Sequence, residues 1–186
     1  MSIFLETDRL VLRQFTEADV DNLVELDSDP DVMRYLTGGA ATPRDEIQND
    51  ILPNWLRYYT RWPGYGFWAA IEKSTGDFLG WFHFRPPHGG SPDEAELGYR
   101  LRKSAWNKGY GTEGSRALID RGFSEFGVQR VVAGTAIDNV GSRRVMEKSG
   151  LTLVGTVWVS RPDVFDGLRL PGVEYALVKA EWELRR

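Results

Sequence analysis

The sequence predicts a single mixed α/β domain that spans residues 1–186. Segments that alternate polar and apolar residues, as strands do, are interspersed with segments whose apolar residues recur at helical spacing. Their order along the chain is β-α-α-α-β-β-β-α-β-α-β-β. No internal repeat, low-complexity stretch or linker-like change of composition interrupts this order, and 186 residues suit one well-packed domain.

The first third of the chain is predicted to be one strand followed by helices. Thr7–Arg13 alternates polar and apolar side chains. A signal similar to a capping box begins a helix at Thr16. Two further helical segments start at Pro30 and Pro43, where proline suits the first helical turn. Pro53 lies inside the last of these and should kink or split it.

The middle of the chain is predicted to be a β-hairpin, a strand and a helix. Phe67–Ile71 and Phe78–Phe84 are apolar runs joined by a short turn. After a loop rich in proline and glycine, Glu94–Leu101 follows as a strand. The next helix covers Thr112–Phe126, and Gly122 on its apolar stripe allows a close approach to a sheet.

The last third is predicted to contain one buried strand, one helix and two further strands. The buried strand is Arg130–Thr135, and the helix covers Gly141–Ser149 and ends at a glycine. The final strands are Leu153–Val157 and Val173–Lys179. Between them lies a long irregular loop that contains Asp166–Gly167.

Composition excludes several classes of function. A net charge of −4 argues against a protein that binds nucleic acid by general electrostatic attraction. The chain has no cysteine, which excludes disulfides, zinc–thiolate sites and a cysteine nucleophile. His83 and His88 are the only histidines, so no metal site is predicted. Without a membrane-spanning apolar run or a signal-peptide pattern, we expect a cytoplasmic protein with no membrane or nucleic-acid partner.

The segment Trp106–Gly114 carries two glycines in the spacing Gly-x-Gly, between a predicted strand and a predicted helix. Such a turn directs free backbone N–H groups and the positive end of the helix dipole at one spot, which suits phosphate or pyrophosphate. An ordinary tight turn explains the same spacing equally well. The Gly-x-x-x-x-Gly-Lys-[Ser/Thr] pattern of nucleotide triphosphatases is absent.

A second signature is Asn139–Leu151, which by itself predicts a capped amphipathic helix with a glycine stop. Together with the Gly-x-Gly turn it resembles the GNAT superfamily of N-acetyltransferases, in particular the branch of ribosomal-protein N-terminal acetyltransferases. Glu6–Arg13, Glu96–Tyr99 and Glu174–Leu177 match the opening, central and last strands of that branch, in the same order. The resemblance implies the acyl-CoA N-acyltransferase fold, whose mostly antiparallel sheet is splayed at a bulge and flanked by helices.

The resemblance also implies acetyl-CoA as co-substrate, with its pyrophosphate bound by backbone amides of the glycine-rich turn. The matching positions are Asn107, Lys108, Gly109, Tyr110, Gly111 and Thr112. Trp106 replaces the usual Gln or Arg of the family, but amide donors do not depend on that side chain. Candidate cations for the phosphates, each of which could equally be a solvated surface charge, are Arg102, Lys103, Lys108, Arg143 and Arg144.

In the family, the strand before this turn pairs with the pantetheine arm as another strand would. Tyr99 and Leu101 match the positions whose main chain does this. Gly98 is where we expect the irregularity, because glycine inside a strand often marks a bulge or a close backbone approach. Asn139 is implied as a side-chain contact to the cofactor, and its alternative role is helix N-capping.

Acetyl transfer requires a base for the amine and a partner for the departing sulfur. Glu96 is our first candidate for the base, Glu94 on the same strand face is the second, and Glu174 is the third. Each of them could equally be an ordinary surface carboxylate. Met146 occupies the position where many family members have a general-acid tyrosine, and it has no proton to donate. Ser142 is the substitute that the resembled branch suggests, with helix capping as its alternative role.

The acceptor is predicted to be a primary amine, either a protein N-terminal α-amine or the amine of a small molecule or antibiotic. With no cysteine to carry an acyl group, transfer is expected to be direct within a ternary complex. A non-catalytic acyl-CoA-binding module is the alternative from another class. The sequence leaves monomer and homodimer open. Candidate lining residues of the acceptor groove, each more often core or rim, are Met33, Tyr35, Trp68, Trp81, His83, Trp158 and Arg161.

Overall fold

A computed structural model describes residues 2–87, 91, 93–160 and 169–185, with the backbone alone at 159–160 and 169–170. His88, Arg161 and the predicted Asp166–Gly167 loop lie outside the described residues or side chains. The strands are β1 (Ile3–Glu6), β2 (Leu10–Gln14), β3 (Gly66–Glu72), β4 (Phe78–Arg85), β5 (Glu94–Leu101), β6 (Arg130–Ala136), β7 (Thr152–Ser160) and β8 (Arg169–Val178). The helices are α1 (Val20–Ser28), α2 (Pro30–Thr37), α3 (Arg44–Glu46), α4 (Leu52–Arg61), α5 (Tyr110–Glu125), α6 (Val140–Lys148) and α7 (Lys179–Glu183).

The strands form one eight-stranded sheet in the order β1-β2-β3-β4-β5-β6-β8-β7. Neighbouring strands run antiparallel except β5 and β6, which are parallel and are joined by the crossover helix α5. A parallel pair needs such a crossover because its strands must start at the same edge. The predicted mixed α/β class with a mostly antiparallel sheet is confirmed.

Helices cover both faces of the sheet over two clusters of buried apolar residues. One cluster joins α5 and α6 to the sheet and includes Phe82, Leu118 and Phe123. The other joins α1, α2 and α4 to the opposite face and includes Leu23 and Trp81. We call the first the cofactor face and the second the acceptor face. The central strand β4 is apolar on both faces, as layered α/β architecture requires, whereas β5 is apolar on the cofactor face alone.

Glycines of α5 set its distance from the sheet. A methyl group on Gly114 would lie 2.4 Å from Cζ of Phe82, and one on Gly122 would lie 2.4 Å from Cζ of Phe84. Only glycine therefore lets the helix backbone rest on these rings. The close approach predicted for Gly122 is confirmed, and Gly114 adds a second one about two turns earlier.

Pro53 was expected to kink or split its helix, and the helix is not split. A π-turn over Ile47–Ile51 directly precedes α4, and helical turns continue from α3 through α4. Proline has no N–H to donate to the preceding turn, and a widened turn accommodates this within a continuous helix.

Two short elements were absent from the sequence prediction, β1 and α7. β1 depends on tertiary contact: the Phe4 ring stacks on Trp68 with centroids 3.7 Å apart. In α7 the Trp182 ring packs against Phe123 at 5.3 Å. Neither segment is long enough to show a period of its own, so packing decides their structure.

Candidate active site

The sheet opens between β5 and β6 after three residue pairs. Glu94 pairs with Arg130, Ala95 with Val131 and Glu96 with Val132. Beyond Glu96 the two strands have no further pair in the described register, whereas β5 stays paired with β4 as far as Leu101. The edge of β5 that carries Tyr99 and Leu101 therefore faces an opening with its backbone groups available to a ligand.

The irregularity expected at Gly98 is not found there. The β4–β5 register runs without a shift from Gly80 to Arg85, and Gly98 lies opposite His83. A methyl group on Gly98 would lie 2.4 Å from Cε1 of His83, so the glycine makes room for the imidazole. The expectation of a bulge was wrong because the glycine serves a side chain on the neighbouring strand.

The glycine-rich turn leads directly into α5. Gly109 is the N-cap residue with φ of 85°, and Asn107 also has a positive φ, 59°. Both values lie in the left-handed region that glycine and asparagine tolerate best. The first amides of α5, beginning at Tyr110, have no partner within the helix, an arrangement that suits an anion.

Arg9, which sequence reasoning missed, directly precedes β2 and contacts this turn. Its Nη1 donates to the Lys108 carbonyl at 2.9 Å, and its Nε donates to Glu113 at 2.7 Å. The guanidinium also lies 4.4 Å from the centre of the Tyr110 ring. With Gly109 and Glu113, Arg9 lines an open groove of about 620 Å³ beside the start of α5. No local signal marks Arg9, because its partners are about a hundred residues away in sequence.

Two predicted turn residues have structural roles visible in their contacts. A methyl group on Gly111 would lie 3.3 Å from Cγ2 of Val145, so Gly111 brings α5 close to α6. The Tyr110 hydroxyl donates to Glu72 on β3, and this hydrogen bond raises the pKa of Tyr110. Their backbone amides stay predicted cofactor contacts, while their side-chain positions serve packing.

Trp106, the departure from the family pattern, caps the end of β5. Its indole Nε1 donates to the Leu101 carbonyl at 2.8 Å. That carbonyl therefore already has one hydrogen-bond partner on the chain itself. The indole side chain fixes where β5 ends and the turn begins.

Asn139, Ser142 and Tyr99 meet on the far side of the opening. The Asn139 side chain accepts a hydrogen bond from the Ser142 amide at 3.2 Å and donates to Thr135 at 3.1 Å. It is therefore the N-cap of α6, the structural alternative weighed for it. The Tyr99 hydroxyl lies 3.0 Å from both the carbonyl and the hydroxyl of Ser142. These contacts join β5 to α6 where the sheet is open.

The protons of this cluster can be assigned by elimination. The Ser142 carbonyl only accepts, so the single proton of the Tyr99 hydroxyl goes there, and the Ser142 hydroxyl can donate to the tyrosine oxygen. Burial raises the pKa of Tyr99 to about 12, and the bond with Ser142 opposes this only in part. Tyr99 is thus a neutral hydrogen-bonding group at neutral pH.

Met146 is a core residue. Its side chain is 2% exposed and belongs to the apolar cluster under α5 and α6. The methionine at this position therefore contributes packing, in keeping with its inability to donate a proton.

The three candidate carboxylates differ in their surroundings. Glu94 and Glu174 both form ion pairs with Arg130, the latter at 3.2 Å. Glu96 lies on the acceptor face, with Oε2 2.9 Å from Nη2 of Arg85 and Oε1 3.7 Å from Nε2 of His83.

Glu96 is the candidate that lies at the point of strand separation. Burial alone would raise the pKa of Glu96, but its interactions with His83 and Arg85 outweigh burial and lower it. Glu96 is therefore charged at neutral pH. It is the last β5 residue paired with β6, so it marks the inner end of the opening.

Three of the cations considered for phosphate binding already have partners on the chain, two of them in ion pairs. Arg102 binds Glu25 at 2.8 Å, Lys103 binds Asp31 at 2.5 Å, and Arg143 donates to Tyr175 at 3.2 Å. Within the described part of the chain, the side chains of Lys108 and Arg144 form no hydrogen bond or ion pair. These two cations stay candidates for the cofactor phosphates.

The candidate acceptor residues divide into core and rim. Met33, Trp68 and Trp81 are buried, whereas Trp158 is 66% exposed on the edge strand β7. Tyr35 on α2 donates to the Asp138 carbonyl at 3.2 Å and so connects α2 to the loop before α6.

In residues 2–87, 91, 93–160 and 169–185, no group of three or more His, Asp or Glu side chains forms a metal cluster. No helix in those ranges has the length and apolarity needed to cross a membrane.

An unpaired strand edge beside the N-terminus of a helix suits an extended ligand that carries phosphate groups. Comparison with known proteins agrees with this class. The model of the acetyltransferase (GNAT) domain family matches residues 9–152. The chain belongs to this family and is an acetyl-CoA-dependent N-acetyltransferase, as the sequence predicted.

Individual relatives support the same assignment. The chain is 31% identical over 185 residues to the FsC-acetyl coenzyme A-N(2)-transacetylase of Aspergillus fumigatus, which covers 96% of this chain and 77% of that protein. The structure of this chain is similar to that of a GNAT-family acetyltransferase from Bacillus anthracis, with a TM-score of 0.79 and 25% identity. The match covers 96% of this chain and 100% of the other. This chain also shares the fold of a ribosomal L7/L12 alpha-N-protein acetyltransferase in complex with coenzyme A, with a TM-score of 0.77 and 20% identity. The match covers 95% of this chain and 98% of the other.

Proposed function

We propose that the chain transfers the acetyl group of acetyl-CoA directly to a primary amine within a ternary complex. The observation that carries the proposal is the opening between β5 and β6, with α5 beginning beside it and Glu96 at its inner end. The backbone edge at Tyr99 and Leu101 pairs with the pantetheine arm, and the amides from Asn107 to Thr112 bind the pyrophosphate.

In this proposal the amine attacks the thioester from the acceptor face. Glu96 is charged and its side chain is 32% exposed, so it attracts a cationic amine and promotes removal of its proton, directly or through an intervening group. On the opposite face, the Ser142 hydroxyl rotates from Tyr99 to donate to the departing sulfur. Because the chain has no cysteine, the transfer cannot pass through an acyl–cysteine intermediate.

Two classes of acceptor have specific support. The resemblance to ribosomal-protein N-terminal acetyltransferases favours a protein N-terminal α-amine. The name of the Aspergillus relative, an N(2)-transacetylase, favours an amine of another kind, such as that of a small molecule. The net charge of −4 suits a cationic amine of either class.

The test is thiol release from acetyl-CoA against a panel of peptides with free N-termini and small primary amines, with mass spectrometry of the products. We expect thiol release that depends on the amine, and products heavier by one acetyl group. Turnover on peptides alone supports the protein N-terminus, and turnover on small amines alone supports the second class. Tight binding of acetyl-CoA with no turnover on any amine would contradict the proposal and favour a non-catalytic binding module.

A further inference from the structure

His83 lies at the inner end of the opening, on the acceptor face of β4. It is paired in register with Gly98, two residues beyond the last β5–β6 pair at Glu96. A methyl group on Gly98 would lie 2.4 Å from Cε1 and 2.6 Å from Nε2 of the imidazole. The nitrogen-bearing edge of the ring therefore rests against β5 where that strand parts from β6.

Both ring nitrogens of His83 are buried and lack a hydrogen-bond partner among the described residues. The nearest carboxylate oxygen, Oε1 of Glu96, is 3.7 Å from Nε2, which is longer than a hydrogen bond. Leaving such groups unpaired costs about 1–3 kcal/mol each, and a folded protein retains few of them. Two unpaired nitrogens on a buried imidazole beside the β5–β6 opening are explained if a bound group supplies the missing hydrogen-bond partner.

Neighbouring rings hold the imidazole in place. The Phe67 ring centre is 5.4 Å from that of His83 in an edge arrangement, and the Trp81 ring centre is 5.9 Å away in a stacked one. The side chain as a whole is 12% exposed. The ring is thus fixed by packing and keeps its hydrogen-bonding capacity for another partner.

The charged groups facing His83 are Glu96, Arg85 and Arg100. Arg85 is bound to Oε2 of Glu96 at 2.9 Å, and Arg100 is bound to Asp27 at 2.5 Å. Burial is the main cause that lowers the pKa of His83, and the two arginines add to it while Glu96 opposes it. The imidazole is therefore neutral at neutral pH, with one nitrogen free to accept a proton.

We propose that His83 accepts the proton lost by the acceptor amine, and that Glu96 is the positioning residue that stabilises the resulting imidazolium. This inference rests on the proposed function. As the neutral amine attacks, its nitrogen forms a bond to the acetyl carbon and the carbon–sulfur bond breaks. One amine proton passes to His83, and the leaving thiolate takes a proton by way of Ser142, which is reprotonated from solvent. The products are the acetylated amine and free CoA thiol, and the proton that His83 returns to solvent balances the one that Ser142 takes from it.

Glu96 suits the positioning role better than the role of base. Its oxygen Oε2 is engaged by Arg85, and its lowered pKa makes it a weak proton acceptor. Its oxygen Oε1 is left on the His83 side, where a proton gained by Nε2 would turn the 3.7 Å contact into an ion pair.

The test compares His83→Gln, Glu96→Gln and the control Glu125→Gln with the wild type. Glu125 pairs with Arg121 far along α5, and its loss should not affect catalysis. We expect His83→Gln to lower kcat about 10²–10⁴-fold, the usual contribution of a positioned base. Calorimetric affinity for acetyl-CoA should change less than twofold. A His83→Gln kcat within threefold of wild type would overturn the assignment.

Two readouts separate proton transfer from damage to the fold. In wild type, kcat should fall with decreasing pH at a value below 6.5, the ordinary pKa of histidine, because protonated His83 accepts no proton. Exogenous imidazole should restore activity to His83→Ala, which leaves a ring-sized space between Phe67 and Trp81. A wild-type kcat with no such fall, or no rescue in a variant that binds acetyl-CoA, would refute the role. If wild type turns over no amine at all, the proposed function itself fails.

Discussion

Replacing Tyr99 by phenylalanine removes a hydroxyl that joins β5 to α6 across the opening of the sheet. The hydroxyl makes two contacts of 3.0 Å with Ser142, and Tyr99 is largely buried. Each such hydrogen bond contributes about 0.5–1.5 kcal/mol, so the pair accounts for about 2 kcal/mol of the free energy of unfolding. For a domain of this size that corresponds to a fall in Tm of about 4–8 °C.

The assay is thermal unfolding of Tyr99→Phe with and without acetyl-CoA. The matched control is Tyr58→Phe, because the Tyr58 hydroxyl forms no hydrogen bond with the described residues while its ring packs on Phe67 at 5.6 Å. We expect the control to unfold near the wild-type temperature. Since Ser142 loses the partner that orients its hydroxyl, kcat should also fall in Tyr99→Phe. If Tyr99→Phe unfolds at the same temperature as Tyr58→Phe, the hydroxyl does not join the two sides as described.

Three further predictions concern packing, pH and phosphate binding. Gly114→Ala places a methyl group 2.4 Å from Cζ of the buried Phe82, and such overpacking should lower the free energy of unfolding measured in urea by about 1–3 kcal/mol. The control is Gly155→Ala, where the added methyl group meets no atom within 4 Å, and we expect it to unfold near the wild-type urea concentration. Burial alone would raise the pKa of Asp19, but its hydrogen bonds and ion pair with Arg13 outweigh burial and lower that pKa below the ordinary 3.8. The resulting stabilisation is complete above pH 3.8 and is lost as the pH falls through the lower pKa of the folded state. Asp19→Asn should abolish this part of the acid dependence, and an unaltered acid unfolding curve would contradict the assignment. We expect Lys108→Gln and Arg144→Gln each to weaken acetyl-CoA binding about tenfold at low salt, and less at high salt, as measured by calorimetry, while kcat is retained. An unchanged Kd would show that these side chains do not reach the phosphates.

The elements with long, regular patterns were predicted well, and those that depend on distant contacts were not. The apolar stripe of α5 and the glycine before it are local features, so the helix and its first turn follow from the sequence. β1 is held by the stacking of Phe4 on Trp68, two residues 64 positions apart, and no window of sequence contains that information.

The candidate site shows the same division. The order of motifs placed Glu96, Ser142 and the glycine-rich turn around one opening, and the structure brings these segments together. The role of Gly98 could not be predicted, because it depends on which side chain of β4 lies opposite. The same is true of Arg102 and Lys103, whose acidic partners on α1 and α2 neutralise them.

The position of β8 between β6 and β7 has a consequence for how the chain folds during synthesis. β6 bears one wall of the opening, and its antiparallel partner β8 leaves the ribosome after β7. Until β8 arrives, the pairs of β6 within the described sheet are the three with β5, and β7 has no partner strand among the described residues. Such pairing between distant segments is slow and exposes strand edges to other chains. The strands that precede β6 and the helices of the acceptor face can assemble early, whereas the enclosure of the cofactor waits until β8 has been made.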